Sequence, residues 1–196
     1  MIESIIGGIL SLLGTASFVI VVALLLFKTS IIKPSRRENS LKEEILISIV
    51  FGILAIYATL MGSVVGGAIL NVRELASLMA GLMGGPISGL LAGLIGGIHR
   101  YSVGGLTALP CSVSTILAGV IAGIVSNKIA GKAYLLKGAV LAFCVESGAM
   151  ALILLLAQPF SQALKAVEQI AVPMITATTI GLVIFLFLAQ SQKPTI

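Results

Sequence analysis

The chain has no tryptophan, one histidine and two cysteines, and only 10% of its 196 residues are charged. Each shortage excludes something. A soluble domain carries about 25% charged residues, so no soluble domain fits here. One histidine and two dispersed cysteines do not furnish a metal-ligand set, and no cofactor is expected. Cys111 and Cys144 both lie in apolar segments, which argues against a disulfide framework. Without tryptophan, any aromatic belt rests on Tyr57, Tyr101, Tyr134 and the phenylalanines. There is no Ser–His–Asp arrangement, no P-loop and no dinucleotide fingerprint, hence no catalytic constellation.

What is abundant is apolar sequence, 58% of the chain. Six apolar segments recur, at 4–27, 45–65, 74–98, 106–126, 136–157 and 170–190. A run of about 20 such residues spans a bilayer as a helix. The expected fold is an all-α integral membrane protein forming one transmembrane domain over residues 1–196. Glu3 is acidic and Lys28 follows the first run, the reverse of a signal peptide, so the first helix is expected to be retained. The net charge is +5, with basic residues at span ends. That pattern sets orientation in the bilayer and gives no reason to expect nucleic acid.

Charge also tests the topology. Six crossings divide the basic residues almost evenly between the two faces. If 74–98 instead turns at Gly84-Gly85-Pro86 and returns, one face holds Lys28, Lys33, Arg36, Arg37, Lys42, Lys128, Lys132, Lys137 and Lys193. The other holds Arg73, Arg100 and Lys165. The positive-inside rule favours this arrangement: five transmembrane helices and one re-entrant helical hairpin, with the N-terminus outside and the C-terminus cytoplasmic. Pro86 disfavours helix at Gly85, and the glycines permit a sharp turn. Each arm of about a dozen residues gives roughly 18 Å of helix, a little over half of a core of about 30 Å. Six spans, with 74–98 as a single kinked helix, is the alternative.

In the re-entrant arrangement Arg73 and Arg100 come to one face, near helices beginning at Glu74 and Thr107. Two guanidinium groups and helix N-termini suit a small anion. Snorkelling of each arginine to headgroup phosphates, with Arg73 paired to Glu74, is the competing reading. Thr107, Cys111 and Ser114 share a helix face and could hold a carbonyl or carboxylate oxygen, or serve small-residue packing. Glu146 lies in mid-span, where an ionisable group is costly; ligand contact and a polar clamp between helices are both open. His99 adjoins Arg100 without partners of its own.

The run N-x-R from Asn71, then "GGP", "GGIHRYSVGGLTAL" and C-x-x-S-T-I resembles the membrane sensor domain of the LytS/YehU (BtsS) histidine-kinase family, the five-transmembrane LytS-type receptor. The likeness is dense over about 45 residues and continues more weakly through Glu146 and "IAVPMITATTIG". It implies a bacterial inner-membrane sensor of a small extracellular carboxylate, with pyruvate the leading candidate. The family's two arginines, cysteine and serine carry over to Arg73, Arg100, Cys111 and Ser114. It also implies a homodimer, and a cytoplasmic response regulator reached through a kinase region. This chain carries no H-box or ATP-binding motif and stops after "LAQSQKPTI", so it is not expected to be an enzyme itself. The rival readings are a substrate-binding subunit of an energy-coupling, vitamin-type transporter and a holin-like pore-former.

Overall fold

The computed structural model describes residues 2–28, 40–129, 131 and 133–191. Lys33, Arg36, Arg37, Lys132 and Lys193, which carry much of the charge comparison, lie outside the described residues. The six long helices are α1 (Ile2–Lys28), α2 (Leu41–Leu60), α3 (Arg73–Val103), α4 (Ala108–Ile129), α5 (Tyr134–Leu156) and α6 (Phe160–Ser191). Each is long and apolar enough to cross a membrane. In hydrocarbon every backbone polar group must bond within the protein, which is why such runs become helices.

Burial is inverted relative to a soluble protein. Leu10, Val64, Leu155 and Phe187 face outward, whereas Arg73, Glu74, Arg100 and Glu146 are fully enclosed. Apolar side chains meet the hydrocarbon, and ionisable ones are kept from it.

The helix α3 is two helices joined at Gly85, whose φ of 88° and ψ of −170° break the spiral. A side chain rarely adopts this conformation, and the following Pro86 further disfavours helix there. The arms then fold back on each other. A Cβ placed at Gly89 would meet the Cα of Gly81, and one at Gly96 would lie 3.7 Å from Cδ of Arg73. Both arms press on α4, with Gly81 and Gly89 against Gly119 and the Gly85-Pro86 turn against Gly123. Small residues allow this backbone-to-backbone approach. The two ends of α3 therefore lie at one end of the bundle, as the charge pattern suggested. The hairpin penetrates further than half-way. Ser88 beside its tip donates to the carbonyl of Glu44 in the first turn of α2, while Arg73 reaches Thr59 in the last. That separation on α2 is 15 residues, roughly 22 Å.

A capping box at Ser40 and Glu43 fixes the start of α2. Around the hairpin, α1, α2, α4, α5 and α6 alternate in direction. Gly8 of α1 sits near Leu70 at the arginine end, and Gly181, in the second half of α6, packs on Ala16 and Leu75. The chain thus begins at the arginine end and leaves α6 at the opposite end. The expectation of an all-helical chain needs one addition, a two-stranded antiparallel hairpin, β1 (Ser63–Val65) with β2 (Ala68–Leu70). Its turn residues Gly66 and Gly67 have φ of 58° and 83°, the left-handed pair that a tight two-residue turn demands. This hairpin covers the arginine end and touches α6 through Gln169.

Candidate ligand-binding site

The polar cluster forms where the start of α3, the end of its second arm and the start of α4 converge. Asn71 sets the first of these. Its Oδ1 accepts from the Arg73 backbone N–H and its Nδ2 donates to the carbonyl of Ile69, so it ties β2 to α3. Both side-chain groups of Asn71 serve the backbone.

Arg73 then points inward. Its Nε donates to Thr115, its Nη1 to Thr59, and its Nη2 to Oε1 of Glu74 at 2.9 Å and to the carbonyl of Cys111 at 3.4 Å. The Arg73–Glu74 ion pair is fully buried on both sides. Ser114 donates to the same Glu74 oxygen at 2.9 Å, or to the Cys111 carbonyl at 3.0 Å.

Arg100 enters from the other arm. Its Nη1 donates to the carbonyl of Gly104 at 2.7 Å and its Nη2 to Thr107 at 2.9 Å. The Cys111 thiol lies against both Thr107 and Arg100. Arg100 is fully buried, yet among the described residues no carboxylate stands within ion-pair distance of it, and its Nε has no hydrogen-bond partner. A buried charge without a counter-ion costs several kcal/mol. Such a site favours an anion that brings its own oxygens.

Glu146 on α5 accepts from Thr178 on α6 at 2.7 Å through Oε1. Its Oε2 and that of Glu74 have no hydrogen-bond partner among the described residues. Glu146 thus links α5 to α6, and it meets the cluster only through space, by the charges of Glu74 and Arg73.

The structure brings together Arg73, Arg100, Thr107, Cys111, Ser114 and Glu146 of the residues singled out from sequence. His99 is half-buried beside Arg100, and among the described residues its Nδ1 has no partner and no hydrogen bond ties its ring to the arginines. Glu74, Thr59, Thr115 and Thr178 were not among the candidates. Thr115 had a signal, being four residues beyond Cys111 on the same face. Thr59 had none, because its role depends on how α2 packs.

A bundle of apolar helices that encloses two arginines among small hydroxyl and thiol groups defines a polytopic membrane domain with a buried polar cluster. Residues 24–192 match the family model described as 5TMR of 5TMR-LYT. The chain belongs to that family and is a membrane sensor domain of the LytS type. It is 37% identical over 193 residues to the sensor histidine kinase BtsS of Escherichia coli (strain K12), a match covering 94% of this chain and 34% of that protein. It is 29% identical over 154 residues to the sensor histidine kinase YpdA of the same organism, covering 77% of this chain and 27% of that protein. It is 35% identical over 129 residues to the sensor protein LytS of Bacillus subtilis (strain 168), covering 64% and 22%. The chain thus spans about a third of the length of BtsS. No solved structure matches it. The family displaces the transporter and pore-former readings.

Proposed function

We propose that this domain binds a small extracellular carboxylate, pyruvate first among them, between Arg73 and Arg100. The enclosed Arg100, which has no carboxylate partner among the described residues, is the observation that carries the reading. Glu74 accepts from Arg73. An incoming carboxylate would replace Glu74 there and pair with Arg100, while its keto oxygen would be held by the Cys111 thiol and the Ser114 hydroxyl. Thr107 orients Arg100, Asn71 orients the helix start that carries Arg73, and Glu146 takes part from α5. Charge-assisted hydrogen bonds contribute about 1.5–3 kcal/mol each, so two or three support micromolar affinity in a pre-formed site.

Signalling follows from differential contact. A ligand shifts a conformational equilibrium only by its unequal affinity for the two states. Closing the hairpin arms and α4 around a carboxylate moves Glu74, whose charge is felt at Glu146, the residue that accepts from Thr178 on α6. In this reading the arginine end faces outside, α6 ends in the cytoplasm, and a homodimer passes the change to a kinase region and a response regulator.

Titration calorimetry with the purified domain tests the ligand. Pyruvate is expected to bind saturably and its methyl ester, which lacks the negative charge, to give no heat. Equal binding of the two would overturn the proposal. Topology has its own test in a Cys144→Ala background. Ser102→Cys, on the exposed turn after Arg100, is expected to react with a membrane-impermeant maleimide in intact cells. Labelling only after permeabilisation would place the arginine end inside.

A further inference from the structure

Away from the arginines, α4 and α5 stand apart along most of their length. The space between them is an apolar cleft of about 320 Å3 running from Ser114 past Ala118 and Leu141 to Gly148. It continues into a second space of about 470 Å3 that shares Leu141 and Cys144 with the first and opens at Lys128 and Lys137. Fourteen residues of α4 separate Ser114 from Lys128, roughly 21 Å of helix. One leaflet of a core of about 30 Å accounts for roughly 15 Å of that depth.

The mouth is positively charged. Lys128 lies in the last turn of α4, and Lys137 in the first turn of α5 donates from Nζ to the Lys128 carbonyl at 2.8 Å. That bond sets the head of the Lys137 side chain against the last turn of α4, the turn that carries Lys128. The sequence from 101 to 145 contains no acidic residue. A long apolar slot ending in two cations matches one occupant in its chemistry, a phospholipid with an anionic headgroup.

We propose that the α4–α5 cleft is a binding site for an anionic phospholipid, its acyl chain lying along Leu141 and Gly148 and its phosphate held by Lys128 and Lys137. Ordinary annular lipid exchanges freely and ignores headgroup charge, whereas this site selects for it. Each lysine near the surface is expected to favour an anionic lipid roughly fivefold, and the pair roughly 25-fold.

Native mass spectrometry of the detergent-purified domain, titrated with phosphatidylglycerol or phosphatidylcholine of identical chains, tests this. Wild type is expected to retain phosphatidylglycerol at least tenfold better, and Lys128→Gln/Lys137→Gln to retain both lipids alike. Gly148→Leu is expected to release both. A Cβ at Gly148 meets nothing within 4 Å, so that variant fills the cleft without disturbing the fold, which its unchanged melting would verify. Equal retention of the two lipids by wild type, or undiminished phosphatidylglycerol on Gly148→Leu, overturns the proposal. So does a Cys144–Cys144 cross-link between copies in oxidised native membranes, which would make the cleft a protein interface.

Discussion

Leucine in place of Gly89 is expected to destroy the folded bundle. A Cβ at this position overlaps the carbonyl oxygen and carbon of Gly119 and the Cα of Gly81, all of them backbone. Nothing there can rotate aside, so the hairpin must lift off α4. Overpacking of a core ordinarily costs about 1–3 kcal/mol where side chains can adjust; backbone against backbone lies at or beyond the upper end. Between helices in a membrane, close approach through small residues is itself a main source of attraction, and the substitution removes it. The arms of α3 would then no longer set Arg73 beside Thr115 and Arg100 beside Thr107. In a Cys144→Ala background a thiol-reactive dye makes the measurement simple, because Cys144 is exposed whereas Cys111 is buried and reacts as the protein opens. The melting midpoint of Gly89→Leu is expected to fall by more than 10 °C, or the protein to elute as aggregate. Gly148→Leu makes the same chemical change in open space and should melt like wild type. Equal melting of Gly89→Leu and wild type would mean that the two arms are not packed together against α4.

The break that creates this hairpin was legible because its cause is local. Pro86 and the glycines before it exclude regular helix whatever surrounds them, and Gly85 is where the dihedral departs. The convergence of Arg73 and Arg100 was legible for a different reason. Lysine distribution reports which ends share a face, and it favoured a segment that returns. Its depth was not legible. The second arm runs on from Pro86 to Val103, and how far it sinks depends on Gly52 and Ala55 of α2 yielding room to Ile95 and Gly96. The β-hairpin was hidden by composition. Val64, Val65, Ala68 and Ile69 extend an apolar run, and the signal lay in the Gly66-Gly67 pair between β-branched residues. Helix α6 begins at Phe160, ten residues before the apolar segment assigned to it. Gln162, Lys165, Glu168 and Gln169 lower the hydropathy there while leaving the helix intact. Glu74 was read as a possible partner of Arg73 and not as a member of the site. Sequence places the two side by side, but only the fold shows that Ser114 also turns to the same carboxylate oxygen.

That carboxylate makes the two arginines unequal, and their variants should differ accordingly. Arg100 has hydroxyl and carbonyl partners but no counter-ion among the described residues, so Arg100→Ala removes charge that the resting fold does not need. Its pyruvate affinity is expected to fall at least about 100-fold, the equivalent of two charge-assisted hydrogen bonds near their lower strength, with melting unchanged or slightly raised. Arg73→Ala strands Glu74 in a buried site, and breaking a buried pair from one side costs about 3–5 kcal/mol. This variant is expected to lose stability together with binding. Glu74→Gln separates the two effects. It frees Arg73 from its resident carboxylate without emptying the space, so the ligand no longer competes with an internal anion. Ligand-free melting should drop, pyruvate should bind about tenfold tighter, and the stabilisation on adding pyruvate should exceed that of wild type. Calorimetry and melting on the same four proteins decide the matter. If Arg100→Ala binds pyruvate as wild type does, the arginine pair is not the receptor site. If Glu74→Gln binds more weakly, Glu74 is part of the cradle for the ligand and not its rival, and the route from Arg73 through Glu74 to α6 would have to begin elsewhere.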